Sequence, residues 1–244
     1  MSDLTESQKL AEQSIATFVA AAREAFDPDL TSIVLFGSAA EGKLRATSDV
    51  NILLVLKRFE QAHADRMREP MRVAHAAVQM SAMFLLESEI GAAIEAFAVK
   101  FSDILARHRV LYGSDPFDNL VTPRDALIRR LRQILLNFQL RTRERYILIS
   151  LREEQLVQLI ADAAAPLRSA AASLLQLEGR AQATPKLALE QFVKELNDPA
   201  VEAALEQISL AREEEHLEPG TAGPTLMSLL VLTQQLRNRA ERLQ

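Results

Sequence analysis

The stretch Ser32-Ile33-Val34-Leu35-Phe36-Gly37-Ser38, followed after ten residues by Asp49-Val50-Asn51-Ile52-Leu53-Leu54-Val55, decides how this chain folds. Its first half is short, β-branched and apolar, which predicts a strand. That strand runs straight into Gly37-Ser38. A small polar connection containing Gly42 leads to a second apolar run, Val50 to Leu56, read as a strand that opens on Asp49. Side chains alternate across a strand, so Asp49 and Asn51 share one face. Val50, Ile52, Leu54 and Leu56 share the other, which is the natural seat for a helix.

Working outward, residues 4–26 carry Ala11, Ile15, Phe18, Val19, Ala22 and Phe26 at spacings of three and four, the mark of an amphipathic helix. Asp27-Pro28-Asp29 ends it, because the residue before a proline disfavours the helical region. Residues 59–79 read as a helix with Pro70 as a kink or break. Ser81 to Leu86 reads as a strand, Glu87 to Glu95 as a short helix, Phe97 to Phe101 as a short strand, and His108 to Tyr112 as a final strand. Strands interleaved with helices predict an α+β (α/β) domain with a small mixed sheet over residues 1–118. Beyond Val121-Thr122-Pro123 nothing strand-like returns. Thr122 is read as the N-cap of a helix running to about residue 147, Gly179 as the stop of a second, and Thr184-Pro185 and Asp198-Pro199 as starts of two more. A last helix occupies residues 224–243. Residues 121–244 are therefore expected to form an all-α helical bundle, and the chain is helix-rich overall.

Composition narrows the chemistry. The 244 residues include no Cys and no Trp, which excludes a thiol nucleophile, a disulfide scaffold, a Cys-ligated zinc ribbon and an iron–sulfur protein. The four histidines, 63, 75, 108 and 216, have no metal-ligand spacing, and no Ser-His-Asp or HExxH pattern occurs. The net charge of −5 offers no general footprint for nucleic acid. That charge belongs to residues 1–120, while residues 121–244 are neutral. The N-terminus is polar and acidic rather than signal-like, and no apolar run approaches the roughly 20 residues that span a bilayer. A soluble, cytoplasmic protein without membrane contact is expected.

The Gly37-Ser38 turn and the Asp49-x-Asn51 strand together resemble the nucleotidyltransferase superfamily that includes DNA polymerase β, within it the kanamycin and aminoglycoside nucleotidyltransferase-like branch. Residues 97–104 and 108–116 resemble the later part of that branch's catalytic domain, and the helical half resembles the bundle that follows it. The resemblance implies that the Gly-Ser turn approaches a triphosphate, with Gly37, Ser38 and Ser48 toward the phosphates. It implies acids on one strand face that hold two Mg²⁺ ions, which clamp the attacking oxygen and the leaving pyrophosphate. A third acid on a later strand completes such a site.

This chain departs from that pattern. Asp49 stands at the first acid position, but Asn51 stands at the second. The third falls on Lys100, or on Asp103 or Glu95 if the register shifts. Asn is a neutral ligand, and a lysine brings positive charge where the family brings a metal. Asp49, Asn51 and Lys100 are thus read as a degenerate catalytic triad, with Lys100 paired to Asp49 and Asp49 at most a weak metal ligand. Three functions follow. The first is a nucleotide-binding or regulatory protein with impaired two-metal catalysis. The second is an active enzyme, with Mg²⁺ and NTP as its cofactors, moving NMP from Mg-NTP to a hydroxyl acceptor. The third is a protein-interaction module with an empty pocket and no cofactor. Nucleotide and protein partners both fit this set, with the cleft between the two domains as the default ligand site.

One further feature stands out. Arg124, Arg129, Arg130, Arg132, Arg141, Arg143 and Arg145 make residues 124–145 strongly basic. Ile128, Leu131, Leu135 and Phe138 form the expected buried stripe, with the arginines on its shoulders. They read either as a solvated flank or as a surface for phosphate or an acidic partner. Glu213-Glu214-Glu215 reads as a solvated face.

Overall fold

A strand that is apolar on both faces needs cover on both faces. β1 (Leu30–Phe36) and β2 (Asn51–Leu56) are of this kind and lie at the centre of a four-stranded mixed sheet of order β3-β2-β1-β4. The structure, a computed structural model, describes residues 2–42, 49–180, 182 and 184–244, with side chains from residue 8 onward. The chain divides into two compact units, Met1–Glu95 with Phe101–Val121, and Ala96–Lys100 with Thr122–Gln244.

In the first unit β1 pairs antiparallel with β2, with Phe36 opposite Asn51. β3 (Ser81–Leu86) runs parallel to β2, with Asn51 beside Ser81. β4 (His108–Gly113) runs antiparallel to β1, with His108 opposite Phe36. Ile33 and Leu35 of β1 and Ile52, Leu54 and Leu56 of β2 pack with Phe18, Ala22 and Phe26 of α1 (Ser2–Phe26) and Met67 and Ala74 of α2 (Gln61–Val78). The expected helical cover of that face is therefore present. Val34, Phe36, Leu53 and Val55 form the other face, with Ile94 of α3 (Ile90–Ala96), Phe101 and Ile104 of α4 (Ala98–Ala106), and Phe117. α2 continues through Pro70 without ending.

Two local expectations are corrected. Residues 97–101 are not a strand, because Ala98 to Phe101 open α4. Phe101 and Ile104, three apart, point into one core as a helix requires. Thr122 does not cap the next helix. α5 (Arg124–Ile149) has Pro123 in its N-cap position with no side-chain cap, and the buried Thr122 hydroxyl lacks a hydrogen-bond partner among the described residues.

The second unit is a bundle of α5, α6 (Glu153–Leu177), α7 (Pro185–Leu196), α8 (Pro199–Glu214) and α9 (Ala222–Glu241). α6 is its axis and packs against the other four. Thr184 and Asp198 cap α7 and α8 as read from the sequence, accepting hydrogen bonds from Leu187 N at 3.2 Å and Ala200 N at 3.0 Å. Beyond α6, Gly179 takes φ +73°, and Arg180 N returns to Leu175 O at 2.8 Å. Ile128, Leu131 and Leu135 are buried and Phe138 partly so, as expected, and Glu213 to Glu215 are exposed. No helix among the described residues is long and apolar enough to cross a membrane.

Two measurements test these packing arguments. Gly113 has φ +77°, and a Cβ there would lie 2.0 Å from the Thr31 carbonyl oxygen. Left-handed strain alone costs roughly 1–2 kcal/mol for an L-residue. With a backbone clash added, Gly113→Ala is expected to lower the urea-unfolding free energy by more than about 2 kcal/mol. Arg180 and Arg239 both ion-pair with Glu195, and their hydrogen bonds hold its carboxyl near about 2, well below 4.5. A carboxylate whose pKa is depressed on folding stabilises above its unfolded value and loses that contribution as pH falls through the folded one. Thermal melts of wild type and Glu195→Gln are thus expected to differ most near pH 7 and to converge between about pH 4.5 and 2.

Candidate nucleotide site at one end of the sheet

The register brings Gly37, Ser38, Asp49 and Asn51 to one end of the sheet. Because Phe36 lies opposite Asn51, the chain leaves β1 at the same end of the sheet where it enters β2. Gly37 takes φ +76° there and opens a single 3-10 turn, Gly37–Ala39, closed by Ala40 N to Gly37 O at 3.1 Å. Ser38 is half-buried in that turn. Asp49 is exposed, and Asn51 lies two residues on, with its Nδ2 donating to the Asp49 carbonyl at 3.5 Å. Val50 between them is fully buried with the α1 and α2 cluster, so Asp49 and Asn51 face the opposite side. Ser48 lies outside the described residues.

The strand beside Asn51 is β3, and the residue in register is Ser81, which is exposed. Ser81 shares its face with Met83 and Leu85, the same face as Leu53 and Val55. Lys100 instead sits on the exposed side of the helix α4, where partial desolvation pushes its ammonium pKa down. Its assignment to a later strand is thereby corrected. Of the alternatives, Glu95 lies on α3, and Asp103 lies on α4 in an ion pair with Arg107. Among the described residues, no group of three or more His, Asp or Glu is placed to hold a metal ion.

Sequence reasoning missed two neighbours of the turn. His108 stands opposite Phe36, its Nδ1 2.9 Å from Ile104 O and its Nε2 3.1 Å from an Asp115 oxygen. Burial raises the Asp115 carboxyl, but the Phe117 N–H and His108 outweigh this and leave it below the usual carboxylate range. The second neighbour is Arg107, which joins Asp103 to Glu41. No spacing in the sequence signals either residue, since His108 arrives through the β4–β1 pairing and Arg107 through its ion pair with Glu41. The shallow pocket lined by Ala20, Arg23, Glu24, Asp27 and Tyr112 is at the other end of the sheet, where Tyr112 stands opposite Ile33.

A turn with a left-handed glycine and a serine hydroxyl thus lies at the same sheet end as Asp49 and Asn51. A family model described as a nucleotidyltransferase domain matches residues 15–167. The chain belongs to the nucleotidyltransferase domain family. A solved structure of spectinomycin adenyltransferase AAD(9) from Enterococcus faecialis with ATP and spectinomycin shares its fold. It aligns over 95% of this chain and 99% of its own, with TM-score 0.62 and 13% identity. A toxin-antitoxin structure with AMP-PNP aligns over 41% of this chain and 75% of its own, at 18% identity and TM-score 0.29. No curated protein matches. In this nucleotidyltransferase domain Asn51 of β2 lies in register with Ser81 of β3.

Four of the α5 arginines have partners inside the second unit, while Arg141, Arg143 and Arg145 are exposed. Arg124 donates to Leu177 O at 2.7 Å, at the end of α6, and to Gln244 O at 3.3 Å. Arg132 donates to Ala240 O at 3.0 Å and Leu243 O at 2.7 Å, at the end of α9. These guanidinium groups satisfy carbonyls that helix ends leave open. Arg129 pairs with Asp125, and Arg130 lies over the Phe97 ring at 5.6 Å.

The turn can be tested on its own. A Cβ on Gly37 would meet nothing within 4 Å, so Gly37→Ala carries only the left-handed strain. Its expected cost is about 1–2 kcal/mol in urea unfolding, smaller than that of Gly113→Ala.

Proposed function

We propose that this chain binds a nucleoside triphosphate at the Gly37-Ser38 turn and acts as a nucleotide-binding or regulatory protein with impaired two-metal catalysis. The observation that supports this reading is the row Asp49, Asn51 and Ser81 at one sheet end, which holds a single carboxylate. Two divalent ions need more negative charge than one acid and two neutral oxygens supply. A single Mg²⁺ does not, since it keeps several waters and is usually held by one or two carboxylates plus phosphates. The donor set therefore fits one Mg²⁺ arriving on the nucleotide. Asp49 would hold it, with the Asn51 amide oxygen and Ser81 hydroxyl as neutral neighbours. Such an ion neutralises phosphate charge. The chain's own part is to bind and orient the phosphates through the backbone N–H groups of the turn and the Ser38 hydroxyl.

A second reading is favoured by Asp49 itself and by the shared fold with an adenyltransferase bound to ATP and spectinomycin. In it the chain transfers a nucleoside monophosphate slowly to a hydroxyl acceptor.

Calorimetry with Mg²⁺ and ATP, CTP, GTP and UTP separates the two, together with a pyrophosphate-release assay. Binding without pyrophosphate release is the expected result, whereas metal-dependent release with an added hydroxyl acceptor would establish the second reading. Asp49→Asn is expected to abolish the Mg²⁺-dependent part of binding. Conversely, Asn51→Asp with Ser81→Glu is expected to create divalent-ion affinity in the absence of nucleotide. Failure of that pair to bind Mg²⁺ or Mn²⁺, with folding intact, would disprove the site assignment.

A further inference from the structure

Arg107 immediately follows α4, and its N–H still bonds back to Asp103 O at 3.0 Å. Its side chain is only 19% exposed and takes part in no core cluster. Nε donates to Asp103 Oδ1 at 2.9 Å, and Nη2 donates to the same oxygen. Nη1 reaches 66 positions back along the chain to Glu41 Oε2, at 2.9 Å. Glu41 belongs to the loop that leaves the Gly-Ser turn, where Gly42 N bonds to Ala39 O at 3.2 Å. The residue after Arg107, His108, stands opposite Phe36, the last residue before Gly37. One part-buried guanidinium thus ties α4 and the start of β4 to the loop carrying Ser38.

The charges give this tie a second consequence. Glu41 is a carboxylate only three residues from Ser38, in a turn read as receiving a polyanion. Partly buried charges are screened less than exposed ones, so a neighbouring carboxylate opposes phosphate binding unless a cation offsets it. A planar, always-charged fork suits that task and holds two carboxylates in fixed geometry.

We infer that Arg107 is a positioning residue for the nucleotide. It holds the Gly37–Gly42 loop in place and offsets the Glu41 charge without touching the ligand. This rests on the reading of the turn as a triphosphate site.

The test is calorimetric titration of the full chain with each of the four triphosphates and Mg²⁺, for wild type, Arg107→Gln, Arg107→Lys and the double variant Arg107→Gln/Glu41→Gln. Thermal melts of all four proteins accompany it. Arg107→Gln is expected to weaken binding about tenfold, the size of one incompletely screened charge interaction. That deficit is expected to shrink in about 0.5 M salt, where the Debye length falls to a few ångströms. Arg107→Lys keeps the charge but loses the fork, and is expected to fall between. Removing the Glu41 carboxylate in the Arg107→Gln protein is expected to restore most of the affinity while leaving the melting temperature lowered. A purely structural role would not produce that separation. Wild-type binding matched by Arg107→Gln overturns the inference and leaves the nucleotide reading standing. So does a double variant as weak as Arg107→Gln at equal melting temperature. Absence of wild-type binding at millimolar triphosphate overturns both.

Discussion

The pairing of Phe36 with Asn51 is the constraint on which the first unit depends. An antiparallel pair brings the exit of one strand beside the entry of the next. Here that puts Gly37 and Ser38 at the end of the sheet where Asp49 and Asn51 begin β2. A one-residue slip would turn Asn51 to the α1–α2 face and carry Ile52 out of its core. The slip is opposed on both sides, because Ile52 and Leu54 are fully buried under α1 and α2, while Leu53 and Val55 are fully buried under α3 and α4. The packing of a two-sided core thus sets the position of residues that contribute nothing to it.

The chemistry at that end follows from how few charges the strands bring. β2 enters on one acid, and β3 enters beside it on a hydroxyl. Other carboxylates near the turn, among the described residues, are paired with side chains of neighbouring elements. Glu41 and Asp103 share Arg107, and Asp115 is hydrogen-bonded to His108. Asp49, by contrast, is exposed to solvent at that end.

Most of the helices and strands were legible in the sequence, because period 3.6 and period 2 differ clearly over long segments. The misreading of residues 97–101 shows where this stops. Phe-Ala-Val-Lys-Phe is too short for the two periods to separate, and β-branched and aromatic residues tilt it toward strand. Phe101 and Ile104 settle the matter only through the core they enter together. The arginines of α5 show a related limit. Their charge allowed a solvated flank or a ligand surface, and it did not show that Arg124 and Arg132 close the ends of α6 and α9, partners more than 50 residues away. Capping at α7 and α8 was legible because those caps act within three residues.

By itself the sequence determined the family, the Gly37-Ser38 turn, the sharing of one strand face by Asp49 and Asn51, and the passage from a sheet-containing half to an all-helical one. These are local properties, set by backbone preference and by alternation along single segments. Only the tertiary structure decided which residue stands beside Asn51, and it is Ser81 on the neighbouring strand, while Lys100 lies on a helix. It alone joined Arg107 to Glu41 and set His108 opposite Phe36. Register between strands and ion pairs between distant elements are fixed by the burial of a shared core, and no single segment of the chain carries that information.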